Sequence, residues 1–242
     1  KTRQGRRPLL VTAHRGFSGR APENTLAAFA AAIEAGSDMI ELDVHLTRDR
    51  EIVVIHDDTL ERTTSGKGHV ADKTLAELRN LDAGAWFAPR FAGERIPILD
   101  EALALARGRI GVNIELKKGE RLPYTMEELA DRTLAVVEKA GMKEQVLFSS
   151  FAPAAIERIG RRDSRLAVGL IVDQAWKRPE EPGGGKRYPV LNCRADILNS
   201  ENIRSARAVG IAVHAWTVDR AAEMERLIAL GVDGIITNHP DR

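Results

Sequence analysis

With Cys193 as its single cysteine, the chain can form no internal disulfide framework, and its composition suits a reducing compartment. Neither sign of charge is in excess: 36 basic residues stand against 35 acidic ones, and no long block carries one sign. Partners recognised by bulk charge, such as nucleic acid or an anionic membrane surface, are therefore not expected. No apolar run approaches the ~18 residues of a spanning helix, and the leading KTRQGRRPLLVTA holds too short an apolar segment for a signal peptide. A soluble, cytoplasmic protein without stable membrane association is the expectation, with a processed leader ahead of Lys1 left open. The chain also lacks a G-x-S-x-G elbow, which argues against a serine hydrolase. TTSGKGHV and PGGGKRYP look phosphate-friendly, yet neither has the glycine spacing, the Lys-Ser/Thr pair or the preceding strand of a P-loop.

What is present is a rhythm. In AAIEAGSDMIELDV, VVEKAGMKEQVLFSS, ARAVGIAVHAW and LIALGVDGIIT, an amphipathic stretch ends in Gly and a β-rich apolar run follows. Glycine past a helix end supplies the left-handed residue that stops it, so each reads as helix, turn, strand. The first helix shows the period, with Leu26, Phe29, Ala30 and Ile33 on one stripe and Asn24 as its expected N-cap. Alternating strands and helices imply a parallel sheet covered on its faces. The 242 residues fall near the ~250 of a single (β/α)8 barrel, so the expected architecture is one TIM-barrel domain over 1–242.

Nine apolar runs compete for eight barrel positions: LLVTAH, MIELDV, IVVIH, IGVNIEL, VLFSSF, LAVGLIV, ADILN, IAVHAW and GIIT. HLTRDRE, between the second and third, is too short for a parallel crossover, which needs about a dozen residues. IVVIH should therefore return as the antiparallel arm of a β-hairpin. Residues 57–98 then carry turn signals without a clear strand and read as a small insertion subdomain on the carboxyl-terminal rim. A second irregular stretch, Lys177 to Pro189, stands where a helix is expected and reads as a mobile loop.

Side chains at i and i+2 share one face of a strand. ELDV therefore aims Glu41 and Asp43 the same way, and NIELK does so with Glu115 and Lys117. Charges facing a barrel interior are costly unless paired or bound to something. They read either as ion pairs with Lys117 and Arg15 or as a metal site. Three carboxylates against two cations leave room for a hard divalent ion, while the lack of a His or Cys cluster at ligand spacing argues against zinc. His14 ends the first strand and His56 ends the hairpin's return arm, so both can flank one pocket above the carboxylates. Singly each reads as a structural histidine; with the acids, the pair reads as a general acid and base. His45 and His69 stand in exposed contexts, and His214 and His239 read as surface or core residues. Trp216 either lines the pocket or packs as plain core.

In order and over nearly the whole chain, HRG...PENT, ELDVHLTRD, VVIHDDTLERTTSGKGHV, LDAGAWF, NIELK, HAWTV and DGIITNHPD resemble the glycerophosphodiester phosphodiesterases. The resemblance implies a TIM barrel with a small insertion and hydrolysis of a small-molecule glycerophosphodiester to sn-glycerol 3-phosphate and an alcohol. It implies one divalent cation, Mg2+ first with Ca2+ or Mn2+ as alternatives, on Glu41, Asp43 and Glu115. It further implies His14 and His56 as the acid/base pair, Arg15 and Lys117 on the phosphate, and Trp216 near the glycerol. A homo-oligomer is compatible with it. One departure is that DILNSENI lacks the aromatic or histidine of relatives, which leaves contacts to the leaving alcohol unassigned.

Two other readings compete. A lysophospholipase D would need an apolar channel, which Trp86, Phe87 and Phe91 could supply, although the same aromatics fit packing of the insertion. A catalytically dead binding protein on a barrel is disfavoured by the presence of both histidines and all three acids.

Overall fold

β1 (Leu10–Ala13) hydrogen-bonds in parallel to β2 (Met39–Leu46) on one side and to β9 (Gly234–Thr237) on the other. That double pairing closes the sheet. Between them run β4 (Gly111–Leu116), β5 (Val146–Ser150), β6 (Ala167–Val172), β7 (Val190–Arg194) and β8 (Ala212–Trp216), each parallel to its neighbours. The eight parallel strands make the ring of a TIM barrel. β3 (Ile52–Val54) lies outside it, antiparallel to β2 with Val44 opposite Val54 and Leu46 opposite Ile52. The computed structural model from which this is read describes residues 8–119 and 122–242.

The crossovers use α1 (Leu26–Glu34), α3 (Leu99–Ala106), α4 (Met126–Lys139), α5 (Pro153–Arg162), α6 (Ser200–Ala208) and α7 (Ala221–Leu230), while the four-residue α2 (Leu75–Leu78) belongs to the insertion. Gly36, Gly141, Gly210 and Gly231 all take positive φ just after their helices, as the stop signals require. α1 is capped one residue later than expected: Thr25, not Asn24, accepts the Ala28 amide. Asn24 instead sits at φ 58° with its side chain turned into the barrel mouth. The buried stripe of α1 is Ala28, Phe29 and Ala32, with Leu26 and Ile33 only packed at its edges.

The seventh strand of the chain, sixth in the ring, differs from the expected one. ADILN forms a 3-10 turn over Ala195–Ile197, and the strand is the preceding VLNCR. The polar alternation of Asn192 and Arg194 hides it as an apolar run, because Asn192 faces the barrel interior where a hydrophobe is the usual choice. The β6 to β7 connection has no α-helix. Within 177–189, Lys177 and Arg178 hold Glu181 while Lys186 and the Tyr188 hydroxyl hold Glu157 of α5.

Residues 57–98 cover the hairpin with their own apolar cluster, in which Leu60, Val70, Leu78 and Ile96 pack on Val53 and Ile55. The main core lies between ring and helices, with Phe29, Leu42, Ile114 and Phe148 fully buried. Among the described residues no helix is long and apolar enough to cross a membrane.

Candidate active site

Alternation along β2 and β4 turns Glu41, Asp43, Asn113 and Glu115 toward the barrel interior, and the register sets Asp43 beside Glu115 and Glu41 beside Asn113. One oxygen from each of Glu41, Asp43 and Glu115 lies within 4.8 Å of the others. Lys117 donates from Nζ to Glu115 Oε1 at 2.7 Å and stands 3.3 Å from Asp43 Oδ1. The Arg15 backbone amide donates to Glu41 Oε2 at 2.8 Å, while its guanidinium holds Glu23 at 2.8 Å and faces Asp43 at 3.6 Å. Arg15 adopts φ 55° to do so, a conformation that costs a side-chain-bearing residue about 1–2 kcal/mol. The next residue, Gly16, has no room for a Cβ, which would lie 2.7 Å from Ala28.

Burial, reinforced by Asp43 and Glu115, pushes Glu41 well above the usual carboxylate range. Burial likewise pushes Glu115 up to about 7. Asp43 feels the same burial, but Lys117, His56 and Arg15 outweigh it and hold its carboxyl below the ordinary range. Burial opposes the charge on Lys117, and the carboxylates beside it, Asp43 foremost, raise its pKa regardless. Asp43 Oδ1 is buried without a hydrogen bond, because the Lys117 ammonium turns to Glu115. A cluster of three all-oxygen donors, too negative to ionise fully by itself and carrying one orphaned carboxylate oxygen, fits a hard divalent cation.

The histidines face the same cavity from different elements, and different groups back them. His14 sits one residue past β1, and its Nδ1 lies 2.8 Å from Asn238 Oδ1 just past β9. Burial, then the Arg15 charge, lowers its pKa to about 4. His56 sits two residues past β3 and donates from Nδ1 to Asp57 Oδ1 at 2.6 Å. Burial lowers its pKa too, with Asp43 and Asp57 acting against it. Behind Asp57, Arg62 bonds Asp57 Oδ2 at 2.6 Å and both oxygens of Glu23, which returns to Arg15. Carboxylates and guanidiniums thus alternate from His56 back to the carboxylate cluster.

The cavity holds about 200 Å³ and is lined by His14, Arg15, Glu41, His56, Glu115 and Lys117 on one side. On the other side Phe151 and Trp216 meet edge to face, centroids 5.9 Å apart, above Asn192 and Ile171. The Trp216 indole is fixed by donating to the Asn192 carbonyl at 2.8 Å. Of the eight residues expected in the site (His14, Arg15, Glu41, Asp43, His56, Glu115, Lys117 and Trp216), Asp43 alone does not line the cavity and is buried beside it. Trp86, Phe87 and Phe91 stack edge to face within the insertion and do not line this cavity.

His45, expected to be exposed, is buried: the return arm and Tyr124 fold over it. Its Nε2 donates to the His56 carbonyl at 3.1 Å, so its Nδ1 accepts from the Tyr124 hydroxyl. His214 belongs to the core, and His69 is exposed. Sequence reasoning missed Glu23, Asn24, Asp57, Arg62, Phe151, Asp219 and Asn238. PENT and HDDTLER held the signal for the first four, since polar residues beside a candidate histidine or arginine are natural partners for it.

A TIM barrel whose strand ends gather paired carboxylates, two fixed cations and two histidines around a small-molecule cavity has the layout of an enzyme for an anionic substrate. The model of the glycerophosphoryl diester phosphodiesterase family matches residues 14–242. The chain is 41% identical over 233 residues to a glycerophosphodiester phosphodiesterase of Caldanaerobacter subterraneus subsp. tengcongensis, covering 96% of this chain and 95% of that one. It is 33% identical to a glycerophosphodiester phosphodiesterase of Bacillus subtilis, covering 96% and 84%. Among solved structures, a phosphodiesterase of Oleispira antarctica in complex with the product sn-glycerol-3-phosphate superposes with a TM-score of 0.89 at 32% identity, over 96% of this chain and 94% of that one. The glycerophosphodiester phosphodiesterase of Thermotoga maritima does so at 0.75 and 29%, over 96% of each. The chain belongs to the glycerophosphoryl diester phosphodiesterase family and is a hydrolase.

Proposed function

We propose that the protein hydrolyses glycerophosphodiesters to sn-glycerol 3-phosphate and an alcohol, with a divalent cation on Glu41, Asp43 and Glu115 and with His14 and His56 as base and acid. The observation that carries this reading is the placing of both histidines, Arg15, Lys117 and the carboxylate cluster around one cavity of small-molecule size. The product bound by the Oleispira antarctica neighbour supports the choice of substrate. Mg2+ is the first choice of ion, with Ca2+ or Mn2+ able to replace it, since the donor set is oxygen alone. When bound, the cation supplies Lewis-acid stabilisation of the phosphoryl oxygens.

The chain's own groups do the rest. Arg15 and Lys117 hold the anionic phosphate and offset the negative charge that builds as the new P–O bond forms. His14, kept neutral by burial and backed by an uncharged amide, takes the proton of the attacking oxygen. His56, whose imidazolium is stabilised by Asp57, returns a proton to the alkoxide as the old P–O bond breaks. Trp216 and Phe151 give the organic part of the substrate an apolar wall.

Release of sn-glycerol 3-phosphate from glycerophosphocholine and glycerophosphoethanolamine tests the reading, using metal-stripped protein before and after adding Mg2+, Mn2+ or Ca2+, with lysophosphatidylcholine in parallel. Restored turnover of the water-soluble diesters is expected. Turnover of the lysolipid alone, or of none of the three, would refute it.

A further inference from the structure

We propose that Asp219, which lies outside the cavity, is a positioning residue that locks His14 into a single tautomer through Asn238. The proposal rests on His14 acting as the base in the reading above. Asp219 follows β8, Asn238 follows β9 and His14 follows β1, so the three stand on the carboxyl ends of consecutive ring strands. Both Asp219 oxygens are engaged. Oδ2 accepts from Asn238 Nδ2 at 2.7 Å, and Oδ1 accepts from the Asn238 backbone amide at 2.8 Å and from the Thr237 hydroxyl at 3.0 Å. Although burial opposes its charge, these hydrogen bonds keep its carboxyl below the ordinary range, so it is an acceptor only.

The consequence passes through the amide. An acceptor-only carboxylate requires the NH2 of Asn238 to face it, which turns the carbonyl oxygen toward His14 and toward the Ser18 hydroxyl, 2.7 Å away. That oxygen can only accept, so the ring nitrogen facing it, Nδ1, must carry the proton. In the neutral ring Nε2 is then the bare lone pair. A flipped amide would set NH2 against Nδ1 and place the proton on Nε2, leaving no base for the substrate. The main chain holds the assembly in register: the His14 amide bonds the Thr237 carbonyl at 2.8 Å and the Gly19 amide bonds the Asn238 carbonyl at 2.9 Å. The charged and titratable groups acting on His14 are Arg15, Asp43 and His56, none of which bonds its Nδ1.

Long-range 1H–15N correlation spectra of 15N-histidine-labelled protein report the tautomer directly, with His14→Gln assigning the signal. For wild type above pH 6 the expected result is a single Nδ1–H tautomer of His14. In Asp219→Asn the carboxamide can offer a donor as well as an acceptor, so a mixture with the Nε2–H form is expected. There kcat should fall at least about tenfold with KM changed far less, as for partial loss of acid–base catalysis. Thr237→Val removes one bond to Asp219 without freeing the amide to turn, and it should keep the single tautomer. An Nε2–H tautomer in wild type, which needs no variant to fold, overturns the proposal. So does an Asp219→Asn protein with the wild-type spectrum and kcat. A wild type that turns over no glycerophosphodiester would refute the reading beneath, and the spectra would still decide the role of Asp219.

Discussion

Asn24 grips Asp43 at two points, donating from Nδ2 to Oδ2 at 2.8 Å and accepting the Asp43 backbone amide on Oδ1 at 3.3 Å. One carboxylate oxygen is thereby tied to the loop after β1, and the other, Oδ1, stands 3.3 Å from Lys117 Nζ without a hydrogen bond. Such outer partners typically contribute 10–100-fold in metal affinity. Asn24→Ala is therefore expected to weaken Mg2+ binding by about that factor in calorimetric titration. Unchanged affinity would show that Asp43 needs no such anchor.

His14→Ala and His56→Ala should each lower kcat by a hundredfold or more, within the ~10²–10⁴ of acid–base catalysis. Thermal melts should show both variants folded. A near-wild-type rate in either would remove that histidine from the mechanism.

Arg62 sets a pH dependence. Its hydrogen bonds lower the Asp57 carboxyl to about 2, helped by His56. A carboxyl depressed on folding contributes stability above its unfolded value of ~3.9 and loses it as pH falls toward the folded value. Urea midpoints measured between pH 6 and pH 2.5 should therefore drop less steeply in Arg62→Ala than in wild type. Parallel curves would mean that the Asp57–Arg62 bond does not survive in solution.

Phe148 lies on β5 with its ring fully buried between the barrel and its helices, on the face away from the cavity. Truncation of a buried phenylalanine costs about 3–5 kcal/mol. Phe148→Ala should lose that much stability by denaturant titration while keeping the activity per folded molecule of wild type. A selective loss of kcat in a fully folded variant would tie this part of the core to the chemistry.

The helix-glycine-strand rhythm made the barrel legible, and the brevity of HLTRDRE alone separated β3 from the ring. The seventh strand was not legible, because Asn192 replaces the apolar inward residue that a hydrophobic run depends on. Within the site, side chains two apart on one strand declared their common face, so Glu41 with Asp43 and Glu115 with Lys117 could be paired from spacing alone. The contacts of His14 with Asn238, of Asn238 with Asp219 and of Trp216 with Phe151 join residues from different strand ends. Their separation along the chain carries no periodic signal. His45 misled for a related reason: it opens the largely polar HLTRDRE stretch, and only folding of the return arm and Tyr124 over it takes it out of water.

A strand laid outside a closed ring creates the one thing a barrel otherwise abolishes, a row of unpaired main-chain groups that another chain could extend. Here Val54 donates to the Pro97 carbonyl at 2.8 Å and Val53 bridges Ile98, so the far side of β3 is sealed by the segment leading into α3. The sealing segment begins with a proline and spans only a residue or two, which leaves little template for growth. The arm that delivers His56 to the cavity is thus added without giving the molecule an edge that invites self-association.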